Sequence, residues 1–148
     1  MKIEDALRGV SSVLLDTAPA IYYLEKNPLF GPVMDRFFQI RAAQQITLVT
    51  SPVTLAECLM LPIQQCRKDL EAAYQALITA GQGTIFWPVG AEEGTAAASL
   101  RAKYGLKLAD AIQAAVALQA KSQVLLTNDT DLKKVTEVRV LLVSELEL

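Results

Sequence analysis

Residues 124–132 read VLLTNDTDL, an apolar run that stops abruptly on a polar cluster holding Asp129 and Asp131. Residues 13–20, VLLDTAPA, have the same form and stop on Asp16. Short apolar runs of this kind suit strands covered on both faces of a parallel sheet. ITLVTS at 46–51 reads the same way, and TIFWPV (84–89) and VRVLLV (138–143) complete a set of five, with SSVLLD (11–16) and QVLLTN (123–128) as the full first and fourth segments. Periodicity alone does not separate such runs from buried helix, so the assignment rests on length and β-branched content.

Helical patterns fill the intervals. A short helix is expected over 19–26 and a longer one over 32–45. Ser51-Pro52 suits an N-cap and first helical residue, with the helix running to about Met60 and Pro62 ending or kinking it. Residues 66–80 stop at Gly81, and 91–104 and 107–121 are separated at Gly105. The first eight or so residues form a candidate extra helix. Strands alternating with helices define an α/β chain with a mainly parallel sheet, and 148 residues suit a single domain spanning 1–148.

Composition narrows the chemistry. A hydrophobic fraction of 52% supports a packed interior and argues against disorder. No apolar run approaches the ~18–20 residues that span a bilayer, and MKIEDALRGV lacks the apolar core of a secretory signal, so a cytoplasmic protein is expected. Cys58 and Cys66 lie eight apart, which suits reduced thiols better than a disulfide or a metal motif. The chain has no histidine, which excludes Ser-His-Asp and Cys-His nucleophiles and the usual zinc sites. Chemistry must then come from carboxylates, hydroxyls, amines or a bound ion. The net charge of −2 means that a nucleic-acid ligand needs a local basic patch, a metal or a partner.

The acids fall where such a sheet builds sites, beyond the carboxyl ends of its strands. Asp16 ends the first strand and Asp129 follows the fourth. Glu57 lies in VTLAECLML, six residues past Ser51, in company too apolar for a solvated helix face. Asp110 opens the helical stretch LKLADAIQAAVALQA (106–120), beside a packing stripe of Leu108, Ala111, Ile112, Ala115 and Leu118. Each acid has an ordinary reading when taken singly. Asp16 is a good helix N-cap, Asn-Asp-Thr-Asp is turn chemistry, and Asp110 offsets a helix dipole. Four such coincidences in one topology point further. Crowded carboxylates repel unless a cation neutralises them, and hard oxygen ligands suit Mg²⁺ or Mn²⁺. Such an ion polarises a phosphoryl oxygen and activates water, which fits phosphodiester hydrolysis without histidine.

With these residues in place, the sequence resembles the PIN-domain ribonucleases, and among them the VapC-like toxins of bacterial toxin–antitoxin pairs. The family pattern is an Asp after the first strand, a Glu in the helix after the second, an Asp opening a late helix and an Asp after the fourth strand. Here these read LLDT (Asp16), TLAEC (Glu57), LKLADAIQAAVAL (Asp110) and LLTND (Asp129). The pattern runs from residue 13 to the end; LADAIQAA and LLTNDTDL are its most specific pieces. The resemblance implies a three-layer α/β/α PIN-like fold with a mainly parallel sheet of about five strands. It implies a Mg²⁺- or Mn²⁺-dependent endoribonuclease in which Asp16, Glu57, Asp110 and Asp129 hold metal or activate water. By the same resemblance Asp131 is an accessory metal ligand, and Thr17 and Thr127 are supporting hydroxyls. Ala18 departs from the Ser or Asn usual at that position. That departure keeps open a catalytically weak or silent PIN-like module that binds RNA or protein. A DNA-directed nuclease is a further alternative, since the metal chemistry does not distinguish sugars. A haloacid-dehalogenase-like phosphatase needs a second Asp where Ala18 stands, and DTAPAI lacks the GxGxxG of a dinucleotide site.

Partners follow in part from placement. Arg101, Lys103 and Lys107 lead up to Asp110, and Lys133 and Lys134 follow Asp131, where they are candidates for RNA phosphates or an ordinary charged surface. Tyr22, Tyr23, Phe30, Phe37 and Phe38 cluster early in the chain. Some are expected in the core, and an exposed remainder would serve as a groove for a small antitoxin protein or as a homodimer face.

Overall fold

A computed structural model describes residues 1–148. The apolar runs form five strands: β1 (Ser12–Leu15), β2 (Thr47–Thr50), β3 (Thr84–Phe86), β4 (Val124–Thr127) and β5 (Arg139–Leu142). Each lies inside the segment expected of it. All four pairings are parallel, and the strand order is β3-β2-β1-β4-β5. The chain thus winds outward from β1 on one side, returns, and winds outward on the other. The reversal opens a crevice beyond the carboxyl ends of β1 and β4, the usual place for a site in an open α/β sheet.

Seven helices cover the sheet: α1 (Ile3–Ala6), α2 (Thr17–Leu24), α3 (Gly31–Gln44), α4 (Pro52–Gln64), α5 (Lys68–Thr79), α6 (Ala91–Tyr104) and α7 (Leu108–Gln119). Strand alternation sends Val13, Leu15, Leu48, Val124 and Leu126 to one face, where they pack with Phe37, Tyr74 and Ile78 from α3 and α5. It sends Leu14, Val49, Leu125 and Leu142 to the other, against Ala97 and Leu100 of α6 and Ala111, Ala114 and Ala115 of α7. The result is a three-layer α/β/α arrangement. Alanines dominate the inner face of α7, which lets that helix lie close on the strands.

Three expectations need correction. Of the two outcomes expected at Pro62, ending or kinking the helix, the first does not occur, since α4 continues to Gln64. Proline removes one amide donor, but its carbonyl still accepts from Arg67 N at 2.9 Å, so the last turn closes. Leu108 is not part of the α7 packing stripe. It is 56% exposed at the first position of α7, whereas Ala111 one turn on is buried. None of the five early aromatics is left exposed. Phe37 is buried, and the others are half-buried and packed on one another, with Tyr23 and Phe38 stacked at 3.8 Å.

The extra N-terminal helix ties the chain ends together. Ile3, Ala6 and Leu7 are buried, Ile3 N donates to Glu147 O at 2.9 Å, and Glu4 pairs with Arg36 of α3 at 2.7 Å. Both cysteines are free. Cys58 is buried, and burial pushes its thiol up to about 12, so it is inert at neutral pH.

The two cores carry the stability. Leu125 is fully buried while Leu29 is 72% exposed. Leu125→Ala is expected to lower the unfolding free energy by about 2–5 kcal/mol. Leu29→Ala should change it by no more than about 0.5 kcal/mol. Denaturant titration of both variants measures the contrast.

Candidate functional site

The end of β1 sets the site. Asp16 N donates to Leu126 O at 3.0 Å, continuing the β1–β4 ladder one residue beyond the strand. This turns the Asp16 side chain toward α7 and buries it to 7% exposure. Its carboxylate does not cap α2. Thr127 Oγ1 donates to one oxygen at 2.7 Å, and Gln113 Nε2 donates to the other at 3.0 Å. A buried carboxylate is costly unless it accepts such bonds, so both donors are required by its position.

The other acids arrive from three more elements. Asp110 lies in the first turn of α7 and Asp129 stands two residues past the end of β4. Burial is the main cause that raises the Asp110 carboxyl to about 7, followed by the charges of Asp129 and Asp16; a hydrogen bond to Asp129 and the charge of Glu57 add to it. Asp110 therefore feels the other three acids. Glu57 stands at the rim. It is exposed, contrary to the expectation from its apolar company, because α4 turns that side toward the open edge; Thr17 Oγ1 donates to it at 2.7 Å.

Asp131 is bonded within its own turn. Its backbone N donates to Asp129 Oδ1 at 2.9 Å, and its carboxylate pairs with Lys134 at 3.7 Å. It shapes the short 3-10 turn Thr130–Lys134, with Asp129 as the cap of that turn. Asn128 also serves the framework, bonding Tyr22 Oη at 3.1 Å and Ser144 N at 3.0 Å.

The basic residues are mostly committed. Lys103 pairs with Glu137 at 3.3 Å, Lys133 with Glu145 at 2.7 Å and Lys134 with Asp131. Arg101 Nε donates to Leu106 O at 3.2 Å. Lys107, the exposed N-cap of α7, is the one of these four lysines outside an ion pair.

Beneath the acids lies a set of buried polar residues that motif reasoning missed. Gln113 Nε2 donates to Thr54 Oγ1 at 2.6 Å, and Ser51 Oγ donates to Gln113 Oε1 at 2.5 Å. All three are essentially inaccessible to water. Ser51 also accepts from Thr54 N, as the N-cap expected for α4. The available signal was Gln113 itself, a lone amide in the alanine-rich run ADAIQAAVA.

The donor set is all oxygen, as hard divalent cations require. No three carboxyls converge on one point as they stand. Mg²⁺ is commonly held by one or two carboxylates, with waters and substrate phosphates completing its shell, so the set fits such an ion without a closed protein cage. Two clefts, of about 420 Å³ beside Arg41 and Gly83 and about 430 Å³ beside Glu92 and Gln119, contain none of these acids.

The family model of the PIN domain matches residues 13–138, and the chain belongs to that family. Solved structures share the fold. VapBC2 of Rickettsia felis, bound to a DNA fragment from its promoter, superposes with a TM-score of 0.71 at 16% identity over 88% of this chain and 97% of that one. The sarcin–ricin-loop-cleaving toxin VapC20 of Mycobacterium tuberculosis gives 0.69 at 19% identity, covering 86% and 98%. FitAcB of Neisseria gonorrhoeae gives 0.63 at 20% identity, covering 90% and 99%. Among curated proteins, none matches the chain.

The crowding has a measurable sign. Asp110 binds its proton more tightly in the folded state than in the unfolded chain, so its contribution to stability is complete below about pH 4 and is lost as pH rises through about 7. Asp110→Asn removes this loss. In chelator the variant should melt above wild type near pH 7.5, with the difference closing toward pH 4. Thermal melts across that range measure it, and a difference independent of pH would refute the crowding.

Proposed function

We propose that this chain is a Mg²⁺- or Mn²⁺-dependent endoribonuclease and the toxin of a toxin–antitoxin pair. The observation that carries the reading is the gathering of Asp16, Asp110, Asp129 and Glu57 at the β1/β4 switch, where Asp110 is raised to about 7 mainly by burial and then by its acidic neighbours. A site that repels its own ionised form is one that a cation stabilises. The ion, when bound, supplies Lewis-acid polarisation of a phosphoryl oxygen and makes water a better nucleophile at neutral pH.

The chain's own residues do the rest. Asp16, with both oxygens held by Thr127 and Gln113, would be a fixed ligand for the ion, and Asp110 and Asp129, in contact with each other, would supply further ligating or water-orienting carboxyls. Without histidine, proton movement at the attacking water falls to these carboxyls. Glu57, held by Thr17, orients water from the rim. Asp131 is a weaker candidate for the ligand role than its motif suggested, because its charge is engaged by Lys134. Lys107 is the best placed of the five basic candidates to meet a phosphate, since it sits three residues before Asp110 and carries an unpaired charge. RNA as substrate, a small antitoxin, a homodimer, a cytoplasmic setting and a single domain over 1–148 belong to the same proposal. No helix is long and apolar enough to cross a membrane.

Asp16→Asn and Asp129→Asn should each reduce Mn²⁺-dependent RNA cleavage by at least about 100-fold while leaving the chelator-treated fold intact. Gel-based cleavage of structured RNA, with matched DNA substrates alongside, measures this. Cleavage at wild-type rates in both variants refutes the acid site. A wild-type chain that binds RNA but cuts no substrate supports the silent-module alternative raised by Ala18.

A further inference from the structure

We infer that Gln113 is a positioning residue that fixes the acidic site from below, through one hydrogen-bonded floor shared with Ser51, Thr54 and Thr127. The inference rests on the metal-site reading of Asp16 and its neighbours, and goes beyond it by assigning residues that ligate nothing.

The floor has one member near each of Glu57, Asp110 and Asp129 in the chain. Thr54 stands three residues before Glu57 on α4, and Gln113 three residues after Asp110 on α7. A spacing of three puts each pair on one helix face. Thr127 stands two residues before Asp129, and its hydroxyl accepts from Asp129 N at 3.0 Å. Asp16 is bonded to the floor directly by Gln113 and Thr127. The side chains of four elements therefore meet at one buried point, and each acid-bearing segment is attached there within a turn of its acid.

The proton pattern of the floor has one solution. An ionised Asp16 only accepts. Thr54 Oγ1 lies 3.5 Å from Leu15 O, a carbonyl that can only accept, so its proton is directed there and the oxygen is left to accept from Gln113. Gln113 Nε2 has two protons and two acceptors, Asp16 and Thr54. Its Oε1 takes the Ser51 hydroxyl proton, while Ser51 Oγ accepts from Thr54 N. Rotating the amide by half a turn would aim Oε1 at the Asp16 carboxylate and leave Ser51 without an acceptor. The amide is thus locked in one orientation, and it locks Asp16 in turn. An aliphatic residue, which the neighbouring alanines lead one to expect, would pack but would orient nothing.

The test uses the full chain and Mn²⁺ alone as probe, read by calorimetric binding, by melting in chelator and by cleavage kinetics. Gln113→Leu should weaken Mn²⁺ binding about 10–100-fold and lower kcat in step, as expected when a group behind a metal ligand is lost. KM for RNA should stay within about twofold, since the floor does not touch substrate. Thr54→Val is nearly isosteric and guards against a Gln113 variant that fails to fold. It should weaken Mn²⁺ binding by several-fold, and the double variant by no more than Gln113→Leu alone, because both cut the same chain of bonds. Thr50→Val removes an equally buried hydroxyl that bonds Ile78 O at 2.6 Å, outside the floor, and should bind Mn²⁺ as wild type does. Wild-type Mn²⁺ affinity in Gln113→Leu or Thr54→Val, with Asp16→Asn abolishing it, overturns the positioning role alone. Equal losses in Thr50→Val overturn it as generic packing. Unchanged Mn²⁺ binding in Asp16→Asn overturns the metal-site reading and this inference with it.

Discussion

The Asp16 carboxylate must be satisfied inside the protein, and much of the structure around it follows from that constraint. It is buried to 7% exposure at the end of the central strand. An ionised carboxylate there is tolerable only with donors on its oxygens. Thr127 comes from the neighbouring strand and Gln113 from the helix packed on the opposite side of the crevice. The pairing of β1 with β4, the close seat of α7 and the amide orientation are thus linked through one side chain.

Electrostatics acts in the opposite sense one turn above. Asp110 and Asp129 are brought together by the elements that carry them, and packing holds them there despite their repulsion. Burial and acidic neighbours make Asp110 resist ionisation. The site is consequently satisfied below and frustrated above. That division suits a centre whose rigid part sets geometry and whose strained part awaits a cation or a proton.

The legible parts of the fold were those governed by local pattern. VLLTN and VLLDT read as buried strands because parallel strands need apolar side chains on both faces. Gly105 marked the end of α6 because it adopts φ 69, which glycine tolerates at a helix C-cap. Pro62 misled because its effect depends on how the next turn closes, not on the residue alone. Leu108 misled because helical spacing identifies a stripe but not which of its members the rest of the chain covers. Glu57 misled for a similar reason: apolar neighbours in sequence do not establish which side of α4 faces the open edge.

By itself the sequence determined the α/β class, the five strands and the order in which four acids reach their ends, since these depend on periodicity and on residue type. It also settled that histidine chemistry is absent. Only the tertiary structure decided which residues face one another. It paired Asp131 with Lys134, and it placed Gln113 beside Asp16 across 97 residues of chain. The physical reason is that hydrogen-bond partners and shared electric fields are set by distances in space. A sequence motif carries the chemical types at a site, but packing between distant elements sets which of them meet.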